Sequence, residues 1–308
     1  MTSNLRIGTR GSPLALAQAE LTKSRLEQAW PDLIGKIEIS VIHTTGDQVQ
    51  DRALAQIGGK GLFTKEIDEA QLAQRVDIAV HSMKDVPTVL PDGLFGAALL
   101  PREDVRDALI AKSARSIAEL PKGAVVGTAS LRRGAQILRR RPDLKVVPFR
   151  GNVQTRLRKL HEGQVDATLL AMAGLIRLGL DLPEATALEI GEMLPAVAQG
   201  AIGITCRADD QRACELLAVL DHHPTRLEVA AERAFLKVLD GSCRTPIAGL
   251  ARLKGNDIQF TGMILLPDGS EAHDVAVHGS AADAKALGTA AGEDLLACCG
   301  RNFLAAHE

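Results

Sequence analysis

Two spacings of apolar residues alternate along the chain. "LRIGTRGSPLALAQAELTKSRL" begins as a short apolar strand, turns at a glycine and continues at helical spacing, with Ser12 as N-cap and Pro13 at the first helical position. "AVVGTASLRRGAQILRRR", from Ala124, repeats the plan: apolar strand, Gly127-Thr128 where the first copy has Gly8-Thr9, a serine, then a helix. A second echo joins "RVDIAVHSMKD" to "QVDATLLAMAG", in which Asp77 and Asp166 each precede an apolar strand. The echoes predict two α/β lobes of similar design, built from βα units around largely parallel sheets.

Pro101–Asp104 and Leu194–Ile204 mix proline or glycine with abrupt changes of pattern, which marks them as crossings between the lobes. Residues 1–100 and 200–218 then form lobe 1, and 105–194 form lobe 2. The remainder, 223–308, has the texture of a small α+β domain. It opens with a helix whose capping box is read as Thr225 with Glu228, followed by strands at Ile247–Leu253, Ile258–Leu266 and Ala272–His278 and a closing helix from Ala281 to Cys298. Cys243 falls on the turn between that first helix and first strand.

Composition narrows the function. The chain has 308 residues, long enough for two or three domains, and its 46% apolar and 24% charged residues are a globular balance. Aromatic residues are 2%, with no tyrosine, which disfavours a protein that stacks bases. The opening residues lack the apolar core of a signal peptide, and no run is long enough to span a membrane, so a cytoplasmic protein is expected. Five scattered cysteines predict neither disulfides nor a metal site.

Net charge is only -2, yet Thr128 to Lys159 holds ten Lys and Arg against one acid, Asp143. An anionic partner follows: nucleic acid, a nucleotide or a small polycarboxylate. Nucleic acid lacks its aromatic platforms here, and "AQIGGKGLF" lacks the spacing of a phosphate loop. Arg139, Arg140 and Arg141 end a helix, where cations suit the dipole and face water. Arg132 and Arg133 sit in a first turn, where the dipole disfavours them; either an anionic ligand removes that conflict or the pair is structural. In "RGNVQTRLRKLHEG" a helix starts after Asn152 with Val153, Leu157 and Leu160 as its buried stripe. That leaves Arg150 and Arg156 as candidates and turns Arg158 and Lys159 away.

Three further places carry chemistry with a plainer reading beside each. Glycines around Lys60 form a flap, or a turn before a helix. "AVHSMKDVPT" ends a strand with Ser82, Lys84 and Asp85, where α/β folds place ligand groups, but Asp85 could simply order a turn before Val86-Pro87 or pair with Lys84. Cys243 is a small hydrophobe, or a thiol that Arg244 makes reactive and that serves as an attachment point.

Taken together, "RIGTRGSPLALAQAE", "GGKGLFTKE", "AVHSMKDVPT", "VVGTASLRRGAQ", "FRGNVQTRLRKL", "GLIRLGL", "LPAVAQGAIGI" and "GSCRTPIAG" resemble the porphobilinogen deaminase family, in order, over about residues 5 to 250. The resemblance implies an α/β fold of two periplasmic-binding-protein-like lobes, a cleft between them, and a small α+β C-terminal domain carrying the cofactor cysteine. It implies a monomeric transferase that joins four porphobilinogen units head to tail, with loss of ammonia, onto a dipyrromethane cofactor held at Cys243 by a thioether, and releases hydroxymethylbilane for tetrapyrrole biosynthesis. Asp85 is the implied catalytic group. Ser82, Lys84, Thr128, Ser130, Arg132 and Arg133 are implied for the cofactor, and Arg10, Ser12, Arg150, Arg156, Arg177, Lys60 and Gln199 for substrate. Neither metal, nucleic acid nor membrane is implied. Two positions depart from the family pattern: Gln56 stands where a flap lysine is expected, and Ala198 where glycine is common.

Overall fold

The computed structural model describes residues 4–48, 61–239, 246–300 and Phe303, and three sheets organise them. One compact unit holds the described residues of Met1–Gln50 and Gly59–Glu103, together with Gly200–Arg226. Its elements are β1 (Leu5–Thr9), α1 (Pro13–Ala29), β2 (Ile37–Val41), α2 (Thr45–Gln48), α3 (Lys65–Leu72), β3 (Ile78–Ser82), β4 (Leu94–Leu99), β10 (Ile202–Arg207) and α7 (Gln211–Ala218). The sheet runs β2-β1-β3-β10-β4; β1 pairs in parallel with β2 and β3, and β10 alone runs against its neighbours. Leu5, Ile7, Ile78, Val80 and Ile204 form its core with Leu26 of α1 and Leu217 of α7.

The second unit holds Asp104–Gln199 and the described residues of Leu227–Glu308. Its first sheet uses β5 (Asp107–Ala111), β6 (Val125–Gly127), β7 (Lys145–Val147), β8 (Ala167–Ala171) and β9 (Ala185–Ala187). The helices are α4 (Leu131–Arg140), α5 (Val153–His161) and α6 (Met172–Arg177). The order β7-β6-β8-β5-β9, with β5 antiparallel to both neighbours, repeats the first sheet strand for strand. In each sheet the antiparallel strand is the one entered after the chain changes unit, β5 after Glu103 and β10 after Gln199. Both faces of β5 are covered. Leu109 and Ala111 join one apolar cluster, Ala108 and Ile110 the other, as period-two alternation requires.

The paired aspartates of the sequence echo have one job. The Asp77 carboxylate accepts the Arg6 N–H at 2.8 Å, and the Asp166 carboxylate accepts the Val125 N–H at 2.7 Å. Each aspartate's own N–H bonds back to the same residue's carbonyl at 2.9 Å. The motif fastens strands β1 and β6 to the strand beside them at the end remote from the ligand groups.

The rest of the second unit is α8 (His223–Val238), an antiparallel meander of β11 (Ile247–Lys254), β12 (Asp257–Leu265) and β13 (Ala272–Ser280), and α9 (Ala284–Cys299). Phe235 of α8 meets Phe260 of β12 with ring centroids 4.8 Å apart. The expected capping box is corrected: α8 begins at His223, His222 Nδ1 lies 2.9 Å from Thr225 Oγ1, and Glu228 instead accepts the Leu253 N–H of β11. The helix starts two residues before Thr225, so Thr225 cannot be its cap.

Candidate functional site

Charged side chains gather at the carboxyl ends of the parallel strands in both sheets, the usual ligand edge of α/β folds. In the first sheet β1 leads into Arg10 and Ser12. Ser12 is the N-cap of α1, its Oγ accepting the Ala15 N–H at 3.3 Å. β3 ends at Ser82 and passes into a single 3₁₀ turn, Met83–Asp85. Buried Met83 anchors that turn: its N–H bonds the Ala201 carbonyl, and its sulfur fills the space a side chain at position 203 would need, so Gly203 is required there. Val86 precedes Pro87 and is extended, which ends the turn.

The Asp85 carboxylate is therefore held at the strand end, about a third exposed, with Arg10 Nη1 3.9 Å from its Oδ2. The Arg10 guanidinium lies over the Phe63 ring at 4.2 Å. Ser82 Oγ exchanges hydrogen bonds with the Gln18 amide at 2.9 and 3.1 Å, and Lys84 is exposed beside it. Behind them His81 is buried against Thr205; burial, aided by the Arg10 charge, pushes its pKa down to about 4 and keeps the ring neutral. The charge at this end belongs to Arg10, Lys84 and Asp85.

The second sheet places its charges differently. Thr128 follows β6, its Oγ1 accepting the Ser130 N–H at 3.1 Å, and Ser130 caps α4 by accepting the Arg133 N–H at 3.4 Å. Arg132 and Arg133, in the first turn, are buried at 5% and 6% exposure and converge on Asp107, the first residue of β5. Arg132 Nη2 donates to Oδ2 at 2.7 Å, and Arg133 donates to Oδ1 from Nη2 at 2.6 Å and Nε at 3.1 Å. The dipole conflict seen in the sequence is thus answered from within the chain. Burial pushes the Asp107 carboxyl upward, but the two guanidiniums outweigh it and hold it well below the usual carboxylate range.

Gln199 belongs to this cluster. Its Nε2 donates to Val105 O at 2.8 Å and Asp107 Oδ1 at 3.0 Å, and the residue is 1% exposed. Among the described residues, two guanidiniums share one carboxylate here. Arg132 Nε is buried with no partner among the described residues.

Arg156, one turn into α5, adds another buried arginine. Asn152 caps the helix as expected, and Val153, Leu157 and Leu160 are its buried stripe. The Arg156 Nε is buried and has no partner among the described residues; burial, with the charge of Arg133 nearby, pushes its pKa down to about 10. Arg150 is half-buried on the loop before α5, and Arg177 closes α6. Lys159 does not point away as expected: it donates to the Arg150 carbonyl at 3.2 Å and lies over Phe149. Nor does Arg141 face water, since its guanidinium binds Asp143 and the carbonyls of Ile117, Ala118 and Leu120.

Lys60 and Cys243, like Gln56, lie outside the described residues. Sequence reasoning missed Asp107, Phe63 and Gln18. Only Asp107 left a signal, an acid at the head of a wholly apolar run, "DALIA".

A family model described as "Porphobilinogen deaminase, dipyromethane cofactor binding domain" matches residues 5–215, and one described as "Porphobilinogen deaminase, C-terminal domain" matches residues 226–297. A porphobilinogen deaminase of Paracoccus denitrificans is 58% identical over 291 residues, 94% of this chain and 93% of that one. A chloroplastic porphobilinogen deaminase of Oryza sativa is 60% identical over 277 residues, 89% of this chain and 77% of the rice protein.

Proposed function

The chain belongs to the porphobilinogen deaminase family, and from that premise we propose that it is a transferase joining four porphobilinogen units head to tail, with loss of ammonia, for tetrapyrrole biosynthesis. The product is the linear tetrapyrrole hydroxymethylbilane. The observation that carries the reading is buried positive charge whose N–H donors Arg132 Nε and Arg156 Nε have no partner among the described residues, at the ligand edge of the second sheet. Porphobilinogen carries one acetate and one propionate, the anions such donors accept.

The same edge fits a dipyrromethane cofactor, whose carboxylates would meet Arg132 and Arg133 with Thr128 and Ser130 beside them and Cys243 as the covalent anchor. When bound, dipyrromethane supplies the primer end onto which the units are joined. Ser82 and Lys84 are the cofactor groups of the first sheet. Arg10, Ser12, Arg150, Arg156, Arg177 and Lys60 serve the substrate.

Asp85 is the catalytic residue in this reading. Its partly exposed carboxylate accepts pyrrole N–H bonds and offsets the positive charge that develops as ammonia leaves. Arg10, 3.9 Å away and stacked on Phe63, keeps that carboxylate oriented without enclosing it. The scarcity of aromatic residues supports a small-molecule partner over nucleic acid. Among the described residues no helix is long and apolar enough to cross a membrane, and we read the protein as a cytoplasmic monomer.

The test is ammonia release from porphobilinogen. The wild-type chain should release it, and Asp85→Asn should keep its fold while turnover falls by roughly a thousandfold or more. Near-normal turnover in that variant would remove Asp85 from the chemistry; a wild-type chain that releases no ammonia would remove the function.

A further inference from the structure

The Cys206 and Cys214 sulfurs lie 3.9 Å apart, within reach of an S–H···S bond in which either is the donor. Eight positions separate them in the sequence, and they meet because β10 leads into α7 through one tight turn. Two links fix that turn. Asp210 caps α7, its Oδ1 accepting the Ala213 N–H at 2.9 Å, while its Oδ2 accepts from the Arg207 guanidinium, which also donates to the Gln71 and Val76 carbonyls. The start of the helix is thereby held against the end of the strand.

The two thiols differ in depth. Cys206 is fully buried in the apolar core of the first unit, with Ile202 and Ile204 of the same strand. Cys214 packs against the edge of that core and is partly exposed. Burial, with Cys214 beside it, pushes the Cys206 thiol up to about 12, so it keeps its proton at neutral pH. Packing alone accounts for Cys206, a small side chain in a core. It does not call for a second sulfur in contact with the first and open to solvent. Cys298 and Cys299 make the contrast: neighbours in α9, they leave the helix about 100° apart.

We propose that Cys206 and Cys214 form a modification site for hydroperoxides, a dithiol that closes to a disulfide and reopens on reduction. The Cys214 thiol loses its proton and its sulfur attacks the distal oxygen of the peroxide. The O–O bond breaks, two electrons pass from sulfur to the peroxide, the alcohol leaves with that proton, and Cys214 becomes a sulfenic acid. Cys206 then attacks the Cys214 sulfur, the S–O bond breaks, and hydroxide leaves with the Cys206 proton as water. Two thiols and one hydroperoxide give one disulfide, one alcohol and one water; with hydrogen peroxide the alcohol is a second water. Closing the bond brings the sulfurs about 1.9 Å nearer, since an S–S bond is about 2.05 Å long. The disulfide fastens α7 to the antiparallel strand of the first sheet. Cys206 pairs with Ile78, at the end of β3 remote from Ser82 and Asp85, so the site is separate from the proposed function.

The experiment treats the whole chain with hydrogen peroxide, alkylates the remaining thiols after denaturation and maps the peptides by mass. Wild type should yield the Cys206 and Cys214 peptides joined, about 2 Da lighter than their sum, and dithiothreitol should separate them. Without its resolving thiol, Cys206→Ala should gain about 32 Da at Cys214, a sulfinic acid that dithiothreitol leaves in place. In Cys214→Ser, Cys206 should stay alkylatable, because burial shields it. If Cys206→Ala does not fold, the wild-type map decides alone.

A wild type that reaches sulfinic acid at Cys214 without the joined peptide would overturn the proposal. So would one in which Cys206 and Cys214 both remain alkylatable at peroxide concentrations that oxidise exposed Cys298, or in which Cys214 is joined to a different cysteine.

Discussion

The two five-stranded sheets share strand order, direction and even the aspartate that ties one strand to the next, yet their ligand edges hold a carboxylate in opposite ways. Asp85, at the edge of the first sheet, is partly exposed and stands 3.9 Å from one arginine. Asp107, in the second, is buried between two arginines at 2.6 and 2.7 Å, with a glutamine on the oxygen that Arg133 binds. A loosely held carboxylate can meet substrate. A clamped one can only hold other groups still. The repeated scaffold therefore supplies two edges that differ in the depth of one acid, and under the proposed function that depth separates the edge that does chemistry from the one that holds charge.

The comparison breaks first on stability. Asp107→Leu should lose about 3–5 kcal/mol, because it strands two buried guanidiniums, whereas Asp85→Leu should stay within roughly 0.5 kcal/mol of wild type. Urea titrations read both, and equal losses would erase the distinction between the two edges.

Next comes Arg156, whose buried Nε, without a partner among the described residues, should cost stability in exchange for ligand binding. Arg156→Leu should unfold at an equal or higher temperature than wild type while its KM for porphobilinogen rises at least tenfold. A lower melting temperature with unchanged KM would make Arg156 a structural residue.

Two buried groups give the first unit a pH signature of opposing signs. His81 has a folded pKa of about 4 against an ordinary 6.5, so its contribution is present above 6.5 and is lost as pH falls towards 4, amounting to about 3 kcal/mol. Asp68 of α3, whose Oδ1 has no partner among the described residues, is raised from 3.8 to about 6, so it removes stability as pH rises through that window. Asp68→Asn should therefore add up to roughly 3 kcal/mol at pH 7 and nothing at pH 3. His81→Gln should flatten the acid limb. Matching pH curves for wild type and both variants would contradict the assignment.

The smallest effect belongs to Ala198, buried beside Gln199 with a backbone φ of +59°. That angle explains why glycine suits the position. Ala198→Gly should raise stability by up to about 1 kcal/mol, the left-handed strain of a side chain less the flexibility glycine adds to the unfolded chain. A clear loss would show that the methyl group is needed for packing.

Much of this was legible in the sequence because local chemistry governs it. Ser12, Ser130 and Asn152 cap helices as their spacing announced, and the strand-end Asp77 and Asp166 mark the repeat. What escaped depended on partners far along the chain. The anion that Arg132 and Arg133 share lies 25 and 26 residues away, at the head of an otherwise apolar strand. Lys159 was misplaced as well, being turned towards the Arg150 carbonyl. The Thr225 box failed more locally, because His222 occupies the capping position that a Thr-x-x-Glu pattern assigns to the threonine.

The most direct test of the whole reading is the mass of the denatured chain, followed by peptide mapping of the segment that holds Cys243. The account predicts an excess of two linked pyrrole units on that peptide, absent from Cys243→Ser. An unmodified wild-type peptide that stays unmodified after incubation with porphobilinogen would contradict it.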